Sequence, residues 1–346
     1  MRVTRAALTD HQYLRRETGE TLTERLYWDR VIRFLYCEAR ERAPALFKAV
    51  TSGRTTAFLG FVNYDLFLGG RLTGGAKFLA QEGINLNECL DPPATLTTPR
   101  RIFERKIRYE SCRPLPEESN AIVSPADARV IVGSCARQSA LFLKGKLFTL
   151  EELLGKNEWS ATFWDGDTAV FRLTPELYHY SHTPVAGRVV DSYDLAGEYH
   201  SCNPQAVVEV ATPYSKNRRT VTIIDTDVAG GSRVGLVAMI EVAALMIGAV
   251  VQCYSEQGYD APRPVTTGMM LRKGVPKSLF RPGSSTDILI FQKGRISFSD
   301  DLITNRMRTD VQSRFTLGFG FPLAETEVRV RSLIARPVAE HERSTP

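Results

Sequence analysis

Short runs of β-branched and apolar residues, separated by turn residues, dominate the chain after Pro116. Runs of this length and composition are typical of β-strands, because a helix needs a longer stretch with a 3.6-residue apolar period. One segment, residues 149–154, predicts a short helix instead. The predicted strands cover residues 121–123, 129–132, 141–143, 168–173, 206–211, 220–226, 234–243 and 287–291.

The residues before this region predict helix. Apolar side chains recur at three- and four-residue spacing over residues 20–50, with charged residues between them. Residues 55–70 are strongly apolar and aromatic, so a helix there must be buried in a core, a partner or a lipid headgroup region. Core packing is the default, and nearby basic residues make a membrane surface the second interpretation. The candidates for membrane or substrate contact are Phe58, Phe61 and Phe67.

These patterns place the chain in the α+β class and divide it into two parts. We expect residues 1–115 to form a helical region, interpreted as membrane-facing, and residues 116–346 to form a β-rich domain. The net charge of +5 lies in the first part, because residues 1–110 hold 18 Lys and Arg against 13 Asp and Glu, whereas the remainder holds 26 of each. Such an excess suits an anionic surface, either a phospholipid leaflet or a nucleic acid. A solvated basic helix face is the plainer interpretation.

Two further features of composition limit where the chain can reside. The longest apolar run, residues 237–251, has about 15 residues and contains Glu241, whereas a membrane-spanning helix needs about 20. The six cysteines are widely spaced, which is typical of reduced thiols in an intracellular protein. We therefore expect a soluble or peripheral protein with no transmembrane helix. By length and apolarity alone, residues 237–251 predict a buried helix.

The candidate catalytic residues lie in a serine turn, a histidine pair and a turn that contains an aspartate. A Pro-Gly turn over residues 280–287 delivers serine hydroxyls onto the start of a predicted strand, which is either an ordinary hairpin or a serine placed to attack the preceding carbonyl. His179 and His182 stand three residues apart, and Asp127 lies in a turn. With Ser285 they can form a nucleophile, base and orienting acid. We expect no metal, since no third ligand stands near the histidines in the sequence.

Several motifs together resemble the phosphatidylserine decarboxylase family, whose members cleave themselves and carry a pyruvoyl group. The similar segments occur in the family's order. They are RETGE at 16–20, AIVSPADARV at 121–130, VFRLTPELYHYSHTPVAGRV at 170–189 and FRPGSST at 280–286. The resemblance implies a β-rich catalytic domain, and it implies strand, turn and strand over residues 237–251 in place of a helix.

The resemblance also implies roles for the candidate residues. Ser285 would become the pyruvoyl group, so the chain would break between Ser284 and Ser285 into a β chain, 1–284, and an α chain, 285–346. His182 would deprotonate Ser285, with Asp127 holding the imidazole. His179 would donate the proton that completes decarboxylation. No external cofactor or metal is then needed.

The function implied is conversion of phosphatidylserine to phosphatidylethanolamine at an anionic membrane surface, on the cytoplasmic face. Residues 20–70 and 100–108 would bind the leaflet, nucleic acid is not an expected partner, and a homodimer is left open. Five residues depart from the family pattern, namely Ala128, Tyr180, Pro282, Ser284 and Asp287, and residues 241–248 are more apolar than in the family. Two alternatives therefore stand, a decarboxylase of a small free amino acid and an uncleaved homologue that only binds lipid.

Overall fold

The structure is a computed structural model that describes residues 9–53, 55, 84–135, 147–245, 250–283 and 285–338. The predicted strand at 141–143 lies outside the described residues. So do Ser284 and the three predicted membrane contacts Phe58, Phe61 and Phe67. Within the described ranges, none of the helices has the length and apolarity that crossing a bilayer requires.

The described strands are short and follow one another closely. They are β1 Gln12–Arg15, β2 Thr21–Thr23, β3 Ile122–Val123, β4 Ala128–Ser134, β5 Asp167–Leu173, β6 Tyr180–His182, β7 Gly187–Leu195, β8 Arg219–Asp225, β9 Leu236–Ala243, β10 Val250–Gln252, β11 Met270–Leu271, β12 Pro276–Phe280, β13 Ser285–Phe291, β14 Ile296–Phe298, β15 Glu325–Val328 and β16 Leu333–Pro337.

The described helices lie mostly at the N-terminus and between the strands. The α-helices are Asp29–Arg33, Arg40–Arg42, Pro44–Val50, Pro99–Phe103, Tyr109–Cys112, Leu150–Leu154, Asn157–Thr162, Pro204–Glu209, Pro213–Lys216, Asp300–Arg306 and Arg314–Phe319. A π-helical stretch covers Phe34–Ala39, and 3-10 turns cover Leu86–Glu88 and Pro93–Thr95.

A ten-stranded sheet organises the chain, with the order β11-β7-β8-β9-β13-β5-β4-β15-β1-β2. Strand β13 lies near its centre, antiparallel to both β9 and β5. Successive side chains of a strand point to opposite faces. Leu289 and Phe291 accordingly enter one hydrophobic core, and Ile288 and Ile290 enter another. Burial on both faces explains why the second half of β13, residues 288–291, is a continuous apolar run rather than an alternating one.

Two three-stranded sheets complete the β-structure of the described residues, in the orders β10-β12-β6 and β14-β16-β3. The sheet β10-β12-β6 lies over the face of β13 that carries the odd-numbered residues. Phe280 of β12 and Leu289 of β13 belong to the same core. Since β6 carries the histidine segment, this packing brings the predicted histidines toward the start of β13.

Buried charges fix the N-terminus to the large sheet. Arg172 of β5 donates to both carboxylate oxygens of Glu24, at 2.9 and 2.6 Å, and to those of Glu325, at 2.9 and 2.5 Å. His11 lies 2.7 Å from Glu325, and Arg129 lies 2.6 Å from Glu24. His11, Glu24 and Glu325 are close enough to share a cation. The carboxylates already share Arg172, however, so the arrangement is a buried ion-pair network.

Most strand predictions are confirmed, as are the helix at 149–154 and the strand, turn and strand pattern of 237–251 as far as it is described. The strand predicted at 206–211 is wrong, because that segment belongs to the helix Pro204–Glu209. Asn203 caps this helix by accepting a hydrogen bond from the Gln205 amide at 2.9 Å. Pro204 fills the first helical position, where its missing N–H costs nothing.

The helix predicted over residues 20–50 is wrong at its start. Residues 21–23 form β2, which pairs with β1, and β1 pairs in parallel with β15. Helix begins only at Asp29. The N-terminal part therefore contributes strands to the large sheet as well as helices, and the division at residue 115 stays a prediction.

Candidate active site

Ser285 is the first residue of β13 and lies opposite Leu173 on one side and Ala243 on the other. The turn before it contains Gly283, whose φ of 149° lies in a region that favours glycine. The Ser285 side chain is fully buried, and its Oγ has no hydrogen-bond partner among the described residues. A buried hydroxyl without a partner is costly. Its position fits a serine that reacts and is converted into another group.

His179 lies beside the strand that leads into this turn, because its carbonyl accepts a hydrogen bond from the Phe280 amide at 3.1 Å. Its Nδ1 lies 2.9 Å from the Leu177 carbonyl, which can only accept, so Nδ1 carries the proton. The Nε2 lone pair is left without a described partner. Burial, and then the nearby charge of Arg105, hold the pKa of His179 well below its usual value. The ring is therefore neutral and gives up any added proton readily.

His182 is bonded differently. Its Nδ1 donates to the Gly274 carbonyl at 3.0 Å, and its Nε2 accepts from the Tyr178 hydroxyl at 2.9 Å. Burial lowers the pKa of His182 to about 3. Both ring nitrogens therefore have partners, in contrast to His179. The His182 amide donates to the Pro125 carbonyl at 2.7 Å, which ties this histidine to the turn that holds Asp127.

Asp127 has three hydrogen bonds of its own. It accepts two from Arg113, at 3.1 and 2.9 Å, and one from the Val330 amide at 2.7 Å. Arg113 also bonds to Glu88 at 2.9 Å. The structure thus brings Asp127 and His182 onto neighbouring segments, and the described bonds of the Asp127 carboxylate go to Arg113 and Val330.

A segment that sequence reasoning missed covers all three of these residues. We call residues 84–113 the covering segment. Within it, Phe103 stacks on His179 with ring centroids 3.5 Å apart, and Tyr109 meets the His182 ring at 4.8 Å. Arg113, described above, reaches Asp127 from the same segment. The covering segment therefore excludes water from the histidines.

Residues 100–108, which were predicted to bind a membrane leaflet, have a buried face as well as exposed basic residues, and their membrane contact stays a prediction. Ile102, Phe103, Arg105 and Ile107 are buried. Arg105 donates to the Glu176 carbonyl at 2.9 Å, so this basic residue binds the protein's own backbone. The signal that could have revealed this was the set of apolar residues inside a basic stretch, which forms an inward face.

Ser285 begins β13, and the segment that carries the two buried histidines contacts β13 through the hydrogen bond from Ser181 to Asp287. These residue types suit covalent catalysis at a serine. Sequence comparison agrees, because a model of the family described as phosphatidylserine decarboxylase matches residues 100–315. The chain belongs to the phosphatidylserine decarboxylase family. The resemblance noted from the motifs is thereby confirmed.

Named relatives cover between two thirds and nine tenths of the chain. The chain is 27% identical over 311 residues to the phosphatidylserine decarboxylase proenzyme of Fusobacterium nucleatum. This alignment covers 90% of this chain and 96% of the relative. Identity to the proenzyme of Chlamydia trachomatis serovar L2 is 29% over 292 residues, covering 84% of this chain and 90% of the relative. Identity to phosphatidylserine decarboxylase proenzyme 2 of Oryza sativa is 32%, covering 67% of this chain and 36% of the relative.

Proposed function

We propose that this chain is a phosphatidylserine decarboxylase made as a proenzyme. It cleaves itself between Ser284 and Ser285 and then converts phosphatidylserine to phosphatidylethanolamine. The observation that carries this proposal is the buried Oγ of Ser285 at the start of β13, which has no partner among the described residues, in a chain whose relatives are named as proenzymes of this activity. Release of carbon dioxide from phosphatidylserine vesicles tests it. Release from free amino acids alone would instead favour the small-substrate alternative.

In the self-cleavage step, Ser285 Oγ attacks the carbonyl of residue 284. His182 is the proposed base, which requires its Nε2 to exchange the Tyr178 hydroxyl for that of Ser285. Asp127, fixed by Arg113 and joined to the His182 segment, supplies a negative charge that favours the protonated imidazole. The resulting pyruvoyl group, when formed from Ser285, supplies the electron sink that decarboxylation needs.

In the decarboxylation step, His179 is the proposed acid, which donates the proton that completes the reaction. Its Nε2, which has no partner in the described part of the chain, and its depressed pKa suit a group that holds a proton briefly and returns it to carbon. Phe103, stacked on the ring, fixes its orientation and excludes water. Water exclusion favours decarboxylation because a substrate carboxylate loses its hydration in such a site.

We expect His179→Ala to produce the small α chain yet to decarboxylate phosphatidylserine about 10²–10⁴-fold more slowly, since that is the usual contribution of a positioned acid or base. Gel analysis measures cleavage and carbon dioxide release measures turnover. His200→Ala is the matched control, because His200 is a buried histidine that packs on Tyr36 and Phe47 rather than at Ser285. Full turnover by His179→Ala would contradict the assignment.

The proposed membrane contact lies at the helix Asp29–Arg33 and its flanks. Trp28, Val31 and Phe34 are exposed and stand at three-residue intervals along one helical face. Arg25 and Arg30 are exposed beside them. Exposed aromatic and aliphatic side chains next to arginines match the apolar and anionic layers of a phospholipid surface. We place the enzyme peripherally, on the cytoplasmic face, and the homodimer stays a prediction.

Replacing Trp28 and Phe34 together with serine should weaken binding to phosphatidylserine vesicles at least about tenfold, since each buried large apolar side chain contributes about 1.5–3 kcal/mol. Vesicle sedimentation measures this. Met307→Ser is the control, because Met307 is 49% exposed but lies beyond the helix Asp300–Arg306. Equal loss in both variants would show that this helical face is not the contact. An intact chain that still binds vesicles would favour the non-cleaving lipid binder.

A further inference from the structure

A layer of buried polar side chains lies directly below Ser285, between the large sheet and the sheet β10-β12-β6. Glu241 of β9 and Asp287 of β13 are direct cross-strand partners, and both are fully buried. Asp287 is two residues beyond Ser285 on the same strand, so both side chains point to the same face, about 7 Å apart along the strand. Two acids side by side in a dry layer repel each other unless one of them is neutral.

The bonding identifies which acid is charged. The buried Lys277 ammonium donates to Glu241 Oε2 at 2.6 Å and to the Gln252 side-chain oxygen at 2.9 Å. Ser278 also donates to Glu241. An irregularity in the pairing of β12 with β6 at Pro276–Ser278 allows consecutive residues to reach the same carboxylate. Glu241 and Lys277 therefore form the ion pair of the layer.

Asp287 is the neutral acid. Burial, and then the negative charge of Glu241, raise the pKa of Asp287 well above its usual value, and Ser181 and Lys277 only partly oppose this. The Ser181 hydroxyl lies 2.6 Å from Oδ2. The facing residue of β5, Phe171, is apolar. Oδ1 of Asp287 has no hydrogen-bond partner among the described residues.

A purely structural role does not account for this carboxyl. Three buried polar atoms in this part of the fold have no described hydrogen-bond partner, namely Asp287 Oδ1, Ser285 Oγ and His179 Nε2. An apolar side chain at position 287 would fill the same space without the desolvation cost. Buried ionisable groups with shifted pKa values concentrate where protons are exchanged. The bond from Ser181 also joins Asp287 to the short strand that carries His182.

We propose that Asp287 is a second proton-transfer residue of self-cleavage, acting as the acid while His182 acts as the base. This inference rests on the self-cleavage proposed above. The Oγ of Ser285 bonds to the carbonyl carbon of residue 284 and its proton goes to His182. The bond from that carbon to the nitrogen of residue 285 breaks, and the nitrogen takes a proton from Asp287, directly or through one water.

One proton is released overall, because His182 passes the proton taken from Ser285 to solvent, while Asp287 regains its own in the following step. After the acyl group has moved from nitrogen to oxygen, Asp287 is a carboxylate with high proton affinity. It takes the Cα proton of residue 285, and the electron pair of that C–H bond forms the double bond that expels the carboxylate of residue 284. Asp287 is thereby returned to its neutral acid form. No oxidant, reductant or added reagent is required.

The test measures self-cleavage of freshly translated chains, separately from decarboxylation. Asp287→Asn keeps the shape and the bond to Ser181 but cannot exchange a proton, and we expect it to cleave at least about 100-fold more slowly. Asp167→Asn is the matched control, because burial also raises the pKa of Asp167, to about 6. Asp167 lies opposite Phe291, at the far end of the same strand pair, and should not affect cleavage.

The pH dependence gives a second readout on the natural sequence. Since the acid form of Asp287 is needed, the cleavage rate should fall as the pH rises through the raised pKa, and Asp287→Asn should lack this alkaline fall. Wild-type cleavage that is flat across alkaline pH would overturn the proposal, even if the Asn variant fails to fold. So would an Asn variant that cleaves at the wild-type rate. A natural chain that never cleaves would contradict the proposed self-cleavage, and the role inferred for Asp287 would be contradicted with it.

Discussion

Ser285→Ala should leave the protein as one intact chain of 38.6 kDa, whereas the natural sequence separates into two chains. The reason is that alanine has no hydroxyl to attack the preceding carbonyl. Mass spectrometry of the purified protein measures this directly. Decarboxylation should be abolished in the same variant, because the proposed pyruvoyl group would originate from this residue. His182→Ala should also remain uncleaved.

Ser284→Ala is the matched control, since it changes the adjacent serine and leaves the proposed nucleophile in place. We expect it to cleave, giving a small chain that starts at residue 285 with a blocked N-terminus. Cleavage of Ser285→Ala together with an intact Ser284→Ala would move the nucleophile to residue 284. A natural chain found only at its full mass would contradict self-processing.

Arg172→Leu should destabilise the fold by about 3–5 kcal/mol, because removing one partner from a buried ion-pair network leaves the others uncompensated. Glu24 and Glu325 would lose the guanidinium that lies between them. Denaturant unfolding measures the free energy. Arg308→Ala is the control, since its ion pair with Asp310 is exposed and should contribute little. An Arg172→Leu variant as stable as the natural protein would show that Arg129 and His11 alone compensate the charges of Glu24 and Glu325.

The same network makes stability depend on acid pH. Burial alone would raise the pKa of Glu24, but Arg172 and Arg129 outweigh it and lower the value to about 2. Arg172 likewise lowers the pKa of Glu325. Groups with a depressed folded-state pKa stabilise the protein above their unfolded value of 4.5, and that stability is lost as the pH falls toward 2. Glu24→Gln should flatten this part of the stability curve.

The β-rich part of the fold could be predicted because its strands carry their own signal. The runs that became β4, β5, β8, β9 and β13 are apolar and β-branched, since the layers on both sides bury them. The segment at 206–211 has similar residues, but the cap at Asn203 decides for helix. Residues 21–23 form a strand only because β1 pairs with them. This pairing is a tertiary contact, which the local spacing of apolar residues does not indicate.

Candidate site residues could be named from the sequence, but their hydrogen bonds could not. The motifs point to Asp127, both histidines and Ser285 as candidates. No sequence pattern indicates that Arg113 forms an ion pair with the Asp127 carboxylate. The stacking of Phe103 on His179 joins residues 76 positions apart in the chain, and the basic flanks of Phe103 suggested a membrane instead. Such contacts follow from how segments meet in space, so they needed the structure.

The central position of β13 has a consequence for the cleaved protein. Strand β13 begins at the proposed break, yet it is hydrogen-bonded along its full length to β9 on one side and β5 on the other, both of which belong to the large fragment. Strand β15 of the small fragment is likewise held between β1 and β4. The two fragments are thus interleaved within one sheet. Separating them would mean dismantling the sheet, so we expect the cut protein to unfold as one cooperative unit.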